Sequence, residues 1–282
     1  MRHHGPASCG RRAGVRVPVS ATGDGEPLVA WVLLDPAGTS VSERDGDVVL
    51  PAASTIKLVV LLALLRAVDD GTITLDRSVT VSSTTASAAG GGRTIRPDPE
   101  DADPEFPPDG AEATVAALAG MMIERSSNEA TNVLLDLLGA MRIADTVGAH
   151  GLGGTVVARK LGDVPAQRAG LENRTSAADL ARTMHALVAG RALSAVSTEF
   201  ARAVLARQRF PHIARELPPG SWWGSKSGWV PGVVHDVAAF ATDGEAADAS
   251  VLAVCTRGLD EAQGDAVIRS VGSVLQSCFL TR

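Results

Sequence analysis

From Ile56 to Val68 the chain is apolar except at Lys57 and Arg66. A helix with so little polar surface has to be enclosed on every side, and the run falls short of the about 20 apolar residues that a bilayer span requires. The fold must therefore build layers around one central helix. The chain has the material for this: 282 residues that are 45% hydrophobic can bury roughly three quarters of their unfolded surface in one large or two small domains.

What surrounds the run follows from its neighbours. Leu28 to Asp35 reads as a buried strand, and Thr39 to Leu50 as its hairpin partner across the turn Pro36, Ala37, Gly38. The central helix is expected from Thr55 to Asp70, stopped by Gly71. Ser82 to Gly110, rich in Ser, Ala, Gly, Pro and Asp, reads as a long surface loop without a core of its own. Its Gly90, Gly91, Gly92 run lacks the preceding strand and the Gly-Lys-Ser/Thr ending of a phosphate loop. The acidic stretch Pro97 to Asp109 reads as solvated, a lid being the alternative. Helices are expected at Ala113–Arg125, Asn128–Gly139, Thr175–Ala189 and Ser197–Arg207. Three strands follow, Trp222–Ser227, Val233–Thr242 and Ser250–Thr256, and then a helix from Glu261 to Leu280. This order predicts an α/β (α+β) fold in which a five-stranded antiparallel sheet is assembled from both ends of the chain around a helical insert. Residues 28–57 and 215–282 would form the α/β lobe, residues 58–214 a mostly helical lobe, and residues 1–27 a flexible tail.

Composition excludes several function classes. The net charge is −6 and no basic stripe interleaves with aromatics, so nucleic acid is not an expected partner. Cys9, Cys255 and Cys278 are widely spaced without a C-x-x-C pair and read as buried free thiols. The 6 histidines are scattered, so neither a metal nor another cofactor is expected. Met1 to Gly25 has no apolar segment of the signal-peptide kind, and Cys9 after Pro6, Ala7 and Ser8 only faintly resembles a lipoprotein site. A cytoplasmic monomer acting on a small molecule, with no membrane span, is the expectation; export would follow if translation starts elsewhere.

Chemistry is first suggested by Ser54 and Lys57. Three residues apart on a helix they share a face, so the amine can reach the hydroxyl. Ile56, Leu58, Val59, Val60, Leu61 and Leu62 leave little water around that amine, and a desolvated lysine prefers to be neutral. A neutral amine is a base for serine, and backbone donors at the helix start could hold an oxyanion. Taken alone, the pair also fits an N-cap serine beside a snorkelling lysine.

Two later stretches alter that balance. Ser126, Ser127, Asn128 stand at a helix junction, and Lys226, Ser227, Gly228 end an expected strand. With Ser54 and Lys57 they match, in order and spacing, the three motifs of the penicillin-recognising serine enzymes. Over about residues 28–280 the chain resembles class A beta-lactamases and related serine hydrolases, which implies a beta-lactamase/transpeptidase-like fold. The resemblance implies Ser54 as nucleophile, Lys57 as its proton acceptor, and Ser126 as proton carrier to the leaving group, aided by the field of Lys226. It gives Asn128 the task of orienting Lys57 and the substrate amide. Ser227 and Lys226 would hold a substrate carboxylate, Gly228 would let substrate lie along the strand, and the N–H groups of Ser54 and Trp229 would form the oxyanion hole. Relatives with a Y-x-N second motif are excluded, because the chain has Tyr 0. The implied activity is hydrolysis of a beta-lactam or a related amide or ester through a Ser54 acyl-enzyme. Penicillin-binding, D-Ala-D-Ala-peptidase-like, esterase or acyltransferase activity, or a non-catalytic binding module, are the alternatives.

The departures bear on turnover. Counting back from Thr175 places Leu161 where class A enzymes carry the glutamate that activates the deacylating water. Asp163 is the nearest acid able to substitute, and Glu172 a poorer second. Ser127 replaces the usual aspartate, and Val234 stands where many relatives have a carboxylate-binding arginine. His235 and Asp236 are expected to shape the sheet, His185 to sit in a helix face, and Trp222, Trp223 and Trp229 to pack the sheet or line an acyl pocket.

Overall fold

The computed structural model describes residues 26–242 and 244–279. Expectations for the tail before Glu26, for Cys9 and for Leu280, and for the side chain of Cys278, lie outside the described residues. Five strands, β1 (Leu28–Leu34), β2 (Ser40–Arg44), β3 (Trp222–Val230), β4 (Val233–Ala241) and β5 (Ser250–Arg257), form one antiparallel sheet. Their spatial order is β2-β1-β5-β4-β3. The two ends of the chain thus meet at the β1–β5 ladder, where Leu28 faces Arg257 and Leu34 faces Val251. β3 is left as an edge.

The helices are α1 (Lys57–Asp69), α2 (Val115–Glu124), α3 (Asn128–Ala149), α4 (Val164–Arg168), α5 (Ala177–Val188), α6 (Ala195–Leu205) and α7 (Glu261–Phe279). α1 is the enclosed helix its sequence demands: Leu58 to Leu65 are buried without interruption, against α2, α3, α5 and α6. Each fully buried leucine there contributes roughly 1.5–3 kcal/mol. The larger core lies between these helices and one face of the sheet, while α7 covers a smaller cluster including Leu33, Val234, Ala238, Leu252 and Ile268 on the other. Side-chain caps at Thr114, Ser127, Asp163, Ser176 and Ser194 start α2 to α6, each satisfying an otherwise unpaired first-turn amide.

Several boundaries differ from expectation, with local causes. The hairpin partner of β1 ends at Arg44, because Asp45 takes φ 52 and turns the chain. Leu50 and Pro51 pair instead with Thr175 and Arg174. The segment Ala53–Ile56 is a 3-10 turn, so α1 begins at Lys57 and not at Thr55. β3 runs on to Val230, which places Lys226, Ser227 and Gly228 inside the strand and not at its end. Gly139, with φ 74 and ψ 155, breaks α3 where its sequence suggested, but the chain resumes the helix to Ala149. The acidic stretch is not wholly solvated: Asp103 is bound by the Arg125 guanidinium at 2.9 Å with its side chain 4% exposed. His185 bonds the Pro36 carbonyl, and Cys255 is a buried free thiol. No helix among the described residues is long and apolar enough to cross a membrane.

Candidate active site

Three chain segments converge where α1 begins. The 3-10 turn carries Ser54, the α2–α3 junction carries Ser126 and Asn128, and edge strand β3 carries Lys226 to Trp229. Glycine 228 sets how closely they approach. A Cβ on it would lie 2.6 Å from the Ser54 amide nitrogen and 2.7 Å from that of Thr55, both immovable backbone atoms. Two non-glycine residues here hold left-handed backbone, Ala53 at φ 46 and Ser126 at φ 61, a conformation costing of order 1–3 kcal/mol that persists only where its surroundings impose it.

Lys57 is fully buried, and its Nζ lies 3.0 Å from Ser54 Oγ, 3.0 Å from Ser126 Oγ, 2.6 Å from the Ser126 carbonyl and 2.9 Å from Asn128 Oδ1. Burial and then the charge of Lys226 hold its pKa well below the ordinary lysine value, against the opposing pull of Glu129, Asp101 and Asp103. A neutral amine has two N–H donors and one lone pair. The Ser126 carbonyl and Asn128 Oδ1 can only accept, so they take both donors, which leaves the lone pair to a hydroxyl. Ser54 Oγ is placed to give up its proton there. Lys226, also fully buried, stands 3.1 Å from Ser126 Oγ and 2.6 Å from the Ser227 carbonyl, and burial lowers its pKa to about 7. The two amines flank one hydroxyl, a geometry able to relay a proton through Ser126.

Ser54, Lys57, Ser126, Asn128 and Lys226 are therefore one contiguous cluster, with Ser227, Gly228 and Trp229 on the adjoining strand. Asp163 is not part of it. Its carboxylate accepts from Ser87 Oγ and the Ala88 and Ala166 amides, tying α4 to the loop at Ser87. Glu172 is bound by Arg159 and Gln167. Val234 is buried against α7, where a Cβ on Gly264 would meet its Cγ2 at 2.5 Å, and carries no charge to the cleft. Trp222 and Trp223 pack on the two cores, whereas Trp229 is 55% exposed. Ser127 caps α3, accepting from the Ala130 amide, a task that an aspartate also performs.

Sequence reasoning missed several contributors. Asn132, four residues after Asn128 and so on the same face of α3, accepts from the Leu161 amide at 2.8 Å and donates to its carbonyl at 3.0 Å. This clamp fixes the backbone of Leu161, whose side chain is buried in the larger core; the i, i+4 asparagine pair was the available signal. Glu129 is buried and accepts from the Asp103 amide and Ser127 Oγ. Arg125 and Asp103, with Ser126, Ser127, Arg209 and Phe210, line a cavity of about 260 Å³ at the Ser126 side of the cleft. A larger hollow, about 530 Å³, lies at the Gly139 kink between Arg66 and Met141 and shares no residue with the cluster. No group of metal-ligating side chains occurs among the described residues.

The sequence model of the Beta-lactamase enzyme family matches residues 20–278. Among solved structures, a beta-lactamase from Sphaerobacter thermophilus is 31% identical with a TM-score of 0.75, covering 90% of this chain and 92% of that one. PBP-A is 26% identical with a TM-score of 0.74, covering 91% of each chain; a leucine-to-glutamate mutant of PBP-A has been solved as an acyl-enzyme with penicillin G. An ancestral class A beta-lactamase is 25% identical with a TM-score of 0.73, covering 89% of this chain and 94% of that one. No curated protein is a significant match.

Proposed function

The chain belongs to the beta-lactamase enzyme family, and from that premise we propose that it is a serine hydrolase that acylates Ser54 with a beta-lactam or a related amide or ester and releases the acyl group slowly. One observation carries the reading: the buried Lys57 amine, with both N–H groups committed to fixed acceptors, 3.0 Å from Ser54 Oγ. Ser54 Oγ forms the new bond to the substrate carbonyl carbon as its proton passes to Lys57. The oxyanion rests on the N–H groups of Ser54 and Trp229, aimed by the close approach of Gly228 to the 3-10 turn. The proton then moves through Ser126 Oγ to the leaving nitrogen or oxygen as its bond to carbon breaks, and the charge of Lys226 favours that transfer. Ser227 and Lys226 hold a substrate carboxylate.

Slow release is inferred from the side chains available on the loop at Leu161 and Asp163. The Asn132 clamp holds the backbone of Leu161, which stands at the position that the family resemblance gives to the deacylating glutamate, while Asp163 and Glu172 spend their carboxylates on structural contacts. A general base is worth about 10²–10⁴ in rate, so the acyl-enzyme should outlive that of an enzyme that has one. A long-lived penicillin-binding adduct is favoured over rapid lactamase turnover. Intact-mass measurement after exposure to penicillin G tests this: an adduct on the wild type, absent from Ser54→Ala and decaying slowly, is expected. Rapid nitrocefin turnover would refute the slow-release part, and absence of both adduct and turnover would refute the whole. Activity on p-nitrophenyl esters but not on nitrocefin would shift the substrate class to esters.

A further inference from the structure

We propose that His235 is a positioning residue for the nucleophile's turn, hooking the backbone at Pro51 so that the Ser54 amide stays aimed into the oxyanion site; this rests on the acyl-enzyme reading above. His235 lies on β4, fully buried, in register with Gly228 of β3 on one side and Cys255 of β5 on the other. Residues paired across a ladder share a face, so the imidazole lies on the face of Gly228, which has no side chain to cover it. It reaches the segment leading into Ser54: Nε2 is 2.9 Å from the Pro51 carbonyl.

The other ring nitrogen fixes the direction of that bond. Nδ1 lies between the Thr256 amide, which points its N–H at it from 3.2 Å, and the Val234 carbonyl at 2.8 Å; that carbonyl already accepts from Thr256 Oγ1 at 2.8 Å, so the arrangement that pairs every group leaves Nδ1 as the acceptor of a neutral ring and puts the proton on Nε2, which donates it to Pro51. Burial, which lowers the ring's pKa, agrees with a neutral imidazole. The hook matters because of what lies between Pro51 and Ser54. Ala52 is held by its amide to the Asn173 carbonyl at 2.9 Å, and Ala53 adopts φ 46. A strained residue relaxes unless both flanks are fixed. Downstream, Thr55 bonds back to the Ala52 carbonyl through its amide at 3.2 Å and its hydroxyl at 2.5 Å. Upstream, Pro51 pairs with Arg174, and His235 is the side chain that ties its carbonyl to the main sheet. The hook thus joins β4, next to the strand bearing Trp229, to the turn bearing Ser54. Those are the two supports of the oxyanion site.

The test compares two variants with the wild type by stopped-flow acylation with nitrocefin and intact mass with penicillin G. His235→Phe keeps the ring and removes the donor; His235→Gln restores a donor near the Nε2 position. The expected result for the phenylalanine variant is an acylation rate constant about 10–100-fold lower, below the loss for removing an oxyanion donor outright, with the dissociation constant of the pre-covalent complex changed less than about threefold. The glutamine variant should recover to within about fivefold of wild type. A folded phenylalanine variant acylating at the wild-type rate, or a glutamine variant no better than phenylalanine, overturns the proposal. Nitrogen-15 spectra of the wild-type histidines decide the matter independently of whether the variants fold. They should show a buried neutral ring protonated at Nε2 with a slowly exchanging proton, and a ring protonated at Nδ1 overturns the hook. If the wild type forms no adduct at all, it is the acyl-enzyme reading that fails, and the tautomer alone then judges the hook.

Discussion

Replacing Leu161 with glutamate should convert a slowly released adduct into a turning-over enzyme. Asn132 grips Leu161 through its backbone amide and carbonyl alone, so the substitution leaves the clamp intact and sends a carboxylate where the isobutyl group now lies. That group is 9% exposed, and losing its burial costs roughly 1.5–3 kcal/mol. At about 2–4 °C per kcal/mol for a chain of this size, the melting temperature should fall by several degrees. The return is catalytic. A positioned base accelerates its step by about 10²–10⁴, equivalent to roughly 3–5 kcal/mol of barrier. The assay is the lifetime of the penicillin G adduct by intact mass, with nitrocefin turnover in parallel. Acylation within about threefold of wild type and deacylation at least about 100-fold faster are expected. Leu161→Gln, of similar shape but without a base, should leave the lifetime nearly unchanged. An equally long-lived adduct on a folded glutamate variant, or a glutamine variant as fast as the glutamate one, would refute the reasoning.

Acylation should be bell-shaped in pH. It rises as Lys57 loses its proton, far below the usual lysine range, and falls above about 7 as Lys226 loses the charge that assists Ser126; Lys226→Arg, which stays protonated, should abolish the falling limb in a pH–rate profile. Gly228→Ala puts a methyl 2.6 Å from the Ser54 nitrogen; adduct formation should drop by more than about 100-fold, and a normal rate would show that the turn and strand need not approach so closely. Asp163→Ala should lower stability by about 2–4 kcal/mol in urea, through loss of a cap and two further bonds, one buried and one part-buried. Its folded fraction should acylate and deacylate like the wild type, since a slower deacylation would restore Asp163 as a base.

Much of the architecture is legible in one dimension because it rests on local periodicity. The apolar run after Ser54 demands enclosure, and strands at both ends of the chain can pair only by closing one antiparallel sheet across the helical insert. The Ser54–Lys57 contact is likewise local, set by helical spacing. Boundaries failed where a single backbone angle decides, as at Asp45 and Ala53: alanine does not announce a positive φ, and aspartate, though it tolerates one, adopts it at few positions.

The choice among acids was not legible. Asp163 and Leu161 are two positions apart, and counting alone cannot say what either contacts; a bond from Asn132, about thirty positions away in the chain, fixes the Leu161 backbone, while Ser87 engages the aspartate. The chain order of residue types therefore determined the sheet, the enclosed helix and the three motifs that meet at its start. Only tertiary packing decided that Lys57 has both its protons spoken for, that Ser126 lies between two buried amines, and that the Asp163 carboxylate is engaged by Ser87 and two backbone amides. Those properties depend on desolvation and on hydrogen bonds between segments remote in sequence, which exist only once the chain has closed.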